Sequence, residues 1–151
     1  MCTDHQSAEP RPDALAVLQR FFTAEAAYIS ASSSGAASFA ELADCLAPEV
    51  VMHQAVSLPY GGQWRGPEGI EAFIKAMSDT WQSLEFFEQR FIVDGDTVAV
   101  HNRGRLCSRT TGRAVDTEVV QIMTVRDGRI AEIRPFYLDT TAVLDALTED
   151  T

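Results

Sequence analysis

The sequence predicts an α+β domain in which a curved antiparallel sheet packs against about three helices. Three observations predict it. Apolar residues recur at helical spacing through the first half of the chain, whereas from Leu84 to Leu138 they alternate, broken by Gly-containing turns. Neither an internal repeat nor a second apolar core is visible in the 151 residues.

Residues 1–12, with Pro10 and Pro12 among polar neighbours, read as a flexible tail, and 13–148 as one domain. Asp13 is placed to cap a first helix, because Leu15, Leu18, Phe22 and Ile29 share a face that Val17, Phe21 and Tyr28 widen. The Ser- and Ala-rich stretch 30–37 reads as a loop. Ser38 and Glu41 then have the spacing of a capping box for a short helix over 39–46, ending before Pro48.

Val50 to Gln54 is a β-branched run, and the Pro-Tyr-Gly-Gly stretch after Leu58 predicts a hairpin-like turn into a second short strand. Pro67 suits the first position of a third helix, with Ile70, Phe73, Ile74, Met77 and Trp81 on one face. Four alternating segments follow: 84–93, 97–108, 113–125 and 129–138. Asp94-Gly95, Thr111-Gly112 and Asp127-Gly128 supply the turns between these antiparallel strands. Asp139 caps a last helix carrying Val143, Leu144 and Leu147.

Composition narrows the function classes. Twelve basic against 22 acidic residues give a net charge of −10, which disfavours nucleic acid and anionic membrane surfaces as partners. A neutral or cationic small molecule is the easier ligand. Cys2, Cys45 and Cys107 are odd in number and far apart, matching neither a disulfide framework nor a zinc site. No stretch reaches the ~18 apolar residues of a membrane span and the start lacks a signal-peptide core, so a cytoplasmic protein without metal or cofactor is expected.

Three stretches carry a family resemblance: Leu46-Ala-Pro-Glu-Val-Val-Met-His53, Leu58-Pro-Tyr-Gly-Gly-Gln-Trp-Arg-Gly66, and Gly128-Arg-Ile-Ala-Glu-Ile-Arg134 with Phe136, Tyr137 and Asp139. From residue 13 to 147 the chain resembles the nuclear transport factor 2-like superfamily, closest to SnoaL-like polyketide cyclases and ketosteroid isomerase-like proteins. The resemblance implies a cone-shaped fold with an enclosed pocket and a homodimer through the sheet. Aligned with the ketosteroid isomerases, the aspartate base falls on Gln54 or His53, the oxyanion-binding tyrosine on Phe21 or Phe22, and the aspartic acid on Gln121. An amide takes no proton from carbon near neutral pH, so steroid isomerase chemistry in its usual form is not expected.

The residues themselves set the candidates. His53 is the side-chain type that moves protons near neutrality, but alternation puts it opposite Met52 and Gln54; His101 stands likewise opposite Val100 and Asn102. Asn102 and Gln121 fall on the apolar faces of neighbouring strands, with Met123 beside Gln121, and an amide there donates to a carbonyl or simply bonds the backbone. Tyr137 takes the place of a cavity-lining aromatic in the family, and its phenol is a hydrogen-bond donor. Tyr60 and Trp64 flank the Pro-Tyr-Gly-Gly turn at the expected pocket mouth, where they serve either as a lid or as core. The expected catalytic residues are therefore His53, Gln121 and Tyr137, and the expected ligand contacts Gln54, Tyr60, Trp64, Asn102 and Met123. Glu132 with Arg134, and Asp116 with Glu118, read as surface charges. Val120 and Ile122 make a second apolar face on their strand, which a partner copy would cover.

These features fit an enzyme acting on a polyketide-like or other cyclic carbonyl compound, as cyclase or isomerase. They also fit a non-catalytic binder of an apolar or aromatic small molecule, and a scaffold whose pocket is filled by its own side chains.

Overall fold

The computed structural model describes residues 13–32 and 38–149. The expected tail and the centre of the expected Ser/Ala loop lie outside them. The element order is α1 (Ala14–Ser32), α2 (Ala40–Asp44), β1 (Leu46–Gln54), β2 (Gly62–Arg65), α3 (Gly66–Thr80), β3 (Trp81–Asp94), β4 (Thr97–Ser108), β5 (Ala114–Arg126), β6 (Arg129–Tyr137) and α4 (Thr140–Leu147). One six-stranded curved sheet runs β2-β1-β6-β5-β4-β3. Every pairing is antiparallel except β1 with β6, which is parallel, so the sheet departs from the all-antiparallel expectation at that seam.

The caps follow the local chemistry. Asp13 Oδ1 accepts from Ala16 N at 2.7 Å, and Asp139 Oδ1 from Ala142 N at 3.0 Å, each satisfying a backbone donor that a helix start leaves unpaired. The Ser38 capping box is not formed as expected. Ser38 Oγ accepts from Ala40 N, Phe39 occupies the cap position, and the helix is only five residues long. The chain leaves it early because β1 starts at Leu46, where Ile130 N donates to Cys45 O and Leu46 pairs with Ile130. Trp81, expected at the end of α3, instead opens β3 opposite Ser108, with its indole buried.

The inner sheet face and the apolar edges of α1 and α3 share one core. Leu18 and Phe21 of α1, Ile70 and Ile74 of α3, and Val98, Val100, Met123 and Ile133 of the sheet are all buried there. Each such side chain contributes about 1.5–3 kcal/mol of hydrophobic stabilisation. A bulge between Phe86 and Glu88 flips the alternation of β3, so that Leu84 and Phe86 face inward before it and Gln89, Phe91 and Val93 after it. Phe87, the extra residue, points away, and the Arg105 guanidinium lies 5.3 Å from its ring centre. Gly104 sits opposite Phe86, where a Cβ would run into the Glu85 carbonyl oxygen. Among the described residues no helix is long and apolar enough to cross a membrane.

Candidate functional site

Alternation along each strand fixes what faces inward. Across the sheet, one inner row runs Gln89, Asn102, Val119, Tyr137 and the next runs Phe91, Val100, Gln121, Pro135. Asn102 and Gln121 are therefore diagonal neighbours, close enough for one ligand to touch both. With Met52 and Gln54 of β1, Phe73 and Met77 of α3, and Phe21, Phe22 and Glu25 of α1, these rows enclose a cavity. Its volume open to the centres of water-sized molecules is about 90 Å³. A single water needs only about 10–15 Å³, so there is room for part of an organic ligand.

The walls are apolar with a few polar groups. Gln54 Oε1 already accepts from Ala55 N at 3.1 Å, which leaves its amino group a weak contact to Met52 Sδ at 4.0 Å. Asn102 Oδ1 accepts from Gln89 Nε2 at 2.9 Å, while its own amino group reaches Val100 O only at 3.5 Å. The side chains of Gln121 and Thr117 face the cavity with no hydrogen bond among the described residues. Tyr137 Oη stands 3.3 Å from Tyr60 Oη, which accepts from Trp81 Nε1 at 3.2 Å. Burial, reinforced by the neighbouring Tyr60, raises the Tyr137 phenol above its ordinary range, so it stays protonated and able to donate.

Glu25 is the residue that sequence reasoning missed. It lies one helical turn beyond Phe21 and Phe22, on the same face of α1, and it is the only charged side chain in the cavity lining among the described residues. No hydrogen bond or ion pair to its carboxyl is present among them. Burial alone pushes the carboxyl up from 4.5 to about 7. A signal was present: residues 18, 21, 22, 25, 28 and 29 form one helical stripe, and Glu25 is the acid that interrupts it.

The structure brings Gln54, Asn102, Gln121 and Tyr137 to the cavity and leaves the other expected site residues out of its lining. His53 faces the opposite side of β1, with Nε2 3.1 Å from Glu132 Oε2 and Nδ1 3.3 Å from Gln63 Nε2, because its neighbours Met52 and Gln54 take the inward positions. His101 likewise pairs with Glu118 on the outer face. Met123 is wholly buried one row deeper, between Val98 and Ile133. Tyr60 is also buried and stands behind Tyr137 rather than at a mouth. Trp64 Nε1 donates to the Tyr60 carbonyl at 3.0 Å and its ring packs on Phe73 at 5.7 Å, so the turn is pinned rather than lid-like. Glu132 accepts from Arg134, and Asp116 from Arg105, both at the surface as expected. Among the described residues no group of His, Cys, Asp and Glu is arranged to hold a metal ion.

Comparison with known proteins agrees with this architecture. Residues 15–133 match the SnoaL-like domain family. The uncharacterized protein Rv0034 of Mycobacterium tuberculosis (strain ATCC 25618 / H37Rv) is 28% identical over 106 residues, covering 68% of this chain and 79% of that protein. A nuclear transport factor 2-like protein from Burkholderia xenovorans LB400 superposes with a TM-score of 0.78 at 20% identity, covering 93% of this chain and all (100%) of its own. A protein from Jannaschia sp. CCS1, provisionally assigned as a SnoaL-like polyketide cyclase, superposes with a TM-score of 0.74 at 21% identity, covering 97% of this chain and 100% of its own.

Proposed function

Because the chain belongs to the family of SnoaL-like domains, and its cavity holds one carboxyl among apolar walls in the described residues, we propose that it is a small-molecule enzyme that moves a proton beside a carbonyl group. It acts as an isomerase or cyclase on a polyketide-like or other cyclic carbonyl compound. The observation that carries this reading is Glu25, with no ion-pair partner among the described residues and titrating near 7, where a carboxylate is basic enough to take a proton from carbon and acidic enough to return it.

The remaining groups take complementary roles. Trp81 N–H donates to Tyr60 Oη, so the Tyr60 hydroxyl is free to donate to Tyr137 and the Tyr137 hydroxyl to donate into the cavity. The Gln121 amide, with no side-chain partner among the described residues, supplies a second donor. Both stabilise the enolate oxygen that forms as Glu25 removes the adjacent proton. Where a double bond is conjugated with the enolate, protonated Glu25 returns the proton at the far carbon of the dienolate, which is isomerisation; where a second carbonyl lies in the same molecule, the enolate carbon attacks it, its π bond opens to an alkoxide, and Glu25 returns the proton to that oxygen, which closes a ring. Asn102 and Gln54 orient the ligand through their amino groups. His53 has no part in this scheme.

Deuterium incorporation beside the carbonyl of a panel of cyclic ketones, followed by NMR in heavy water, tests the reading. Wild-type protein is expected to catalyse the exchange and Glu25→Gln to lose it by about 10²-fold or more. Equal exchange by E25Q would remove Glu25 from the mechanism. The prior bonding of the Gln54 and Asn102 carbonyl oxygens to the protein supports a second reading, a non-catalytic binder of an apolar or aromatic molecule. Thermal stabilisation by a ketone that never exchanges would favour it.

A further inference from the structure

The cavity opens at Glu25. Phe22, Glu25, Leu84 and Phe86 line both the cavity and a surface groove between α1 and the edge strand β3. The groove offers about 690 Å³ to the centres of water-sized molecules, against about 90 Å³ inside. An apolar cavity of about 150 Å³ holds a benzene ring, so a molecule of that size extends outward past Glu25 unless the walls move. The way out is apolar: Leu84 and Phe86 are 39% and 46% exposed at the mouth, and Phe22 packs on Phe91 at 6.2 Å along the floor. Glu25 is the only charged side chain in either lining among the described residues. An anionic ligand would therefore meet a carboxyl with no cation to offset it, whereas an uncharged chain loses nothing on entering.

The geometry points to an elongated, uncharged substrate, with a small carbonyl-bearing head in the cavity, an apolar tail of several carbons in the α1–β3 groove, and Glu25 between them. This rests on the reading of Glu25 as the group that moves the proton, and it names the class of molecule on which that group acts. The tail is the occupant of the groove because the groove adjoins the cavity and shares four of its lining residues. It also explains why large apolar side chains stand exposed on a strand edge that charged residues would otherwise protect.

Calorimetric titration of the full chain with cyclopentanone, its pentyl and heptyl derivatives alkylated beside the carbonyl, and heptanoate tests the proposal. The dissociation constant is expected to fall by roughly fourfold per methylene along the ketone series, with heptanoate far weaker than the pentyl ketone. Ala26→Trp, which fills the groove from the exposed side of α1, is expected to flatten that gradient. A27W, on the same helix but outside the groove lining, is expected to keep it. T23W fills the same groove from the adjacent turn and replaces A26W should that variant fold poorly. Equal affinity across the ketones, a gradient that the groove-filling variant leaves intact, or heptanoate binding as tightly as the pentyl ketone would each overturn the proposal. Deuterium exchange without a gradient would sink the tail and leave proton transfer standing. A gradient without exchange would do the reverse.

Discussion

Tyr60 and Tyr137 are joined hydroxyl to hydroxyl at 3.3 Å although 77 residues separate them in the chain, and Trp81 Nε1 closes on the same Tyr60 oxygen at 3.2 Å. The turn after β1, the start of β3 and the end of β6 therefore meet at one polar point beside an apolar cavity. Removing the shared acceptor should be the more damaging change. Tyr60→Phe leaves the buried Trp81 N–H without a partner and is expected to cost about 1–3 kcal/mol, whereas Tyr137→Phe removes one neutral hydrogen bond and costs about 1 kcal/mol. Urea denaturation of the two variants checks the order, and equal losses would mean that the Trp81 bond contributes little.

Glu25 ties stability to pH with a definite sign. Its carboxyl is raised in the folded protein, from 4.5 to about 7, so the folded state holds the proton more tightly than the unfolded state does. That contribution is fully present below about pH 4.5 and is lost as pH rises through about 7, by an amount on the order of 3 kcal/mol at most. E25Q is expected to match the wild type near pH 4.5 and to be the more stable of the two at pH 8. Parallel stability curves for the two proteins would show that Glu25 titrates as an ordinary surface acid.

The Glu25 shift also sets the direction of any catalytic pH profile. The ionised form is the base, so exchange should rise with pH and level off above about 7. A rate that falls over the same range would instead make protonated Glu25 the working form.

Gly104 is needed for the close approach of β4 to β3 at the bulge. Ala at 104 puts its Cβ into the Glu85 carbonyl and forces the strands apart beside the cavity, an overpacking penalty of about 1–3 kcal/mol. Thermal melting of G104A checks it, with weakened ligand binding expected alongside.

The outer sheet face carries Ile92 at 50% and Phe136 at 57% exposed, contiguous through Ala99, Ile122 and Val120. A second copy of the chain is proposed as its cover. Sedimentation at micromolar concentration is expected to give a dimer for the wild type and a monomer for Phe136→Asp. A wild-type mass that stays monomeric at every concentration would rule the dimer out.

Much of this was legible in the sequence because it depends on local chemistry. The spacing of apolar residues fixes which face of α1, α3 and β4 is buried, Asp13 and Asp139 cap whatever helix follows them, and strict alternation places Asn102, Gln121 and Tyr137 inward and His101 outward. None of these needs knowledge of a distant partner. The errors arose where a distant partner decides. Trp81 continues a helical pattern but is drawn into β3 because its indole is buried against Tyr60, and the expected box at Ser38 gives way because Leu46 is claimed by Ile130. Met123 has the same inward parity as Gln121, yet Val98 and Ile133 close over it and leave only Gln121 at the cavity wall. Glu25 was readable as an acid in an apolar stripe. That it faces an apolar cavity with no cation among the described residues, which is what moves its proton affinity, follows only from how α1 lies over the sheet, since desolvation is a property of the surroundings and not of the residue.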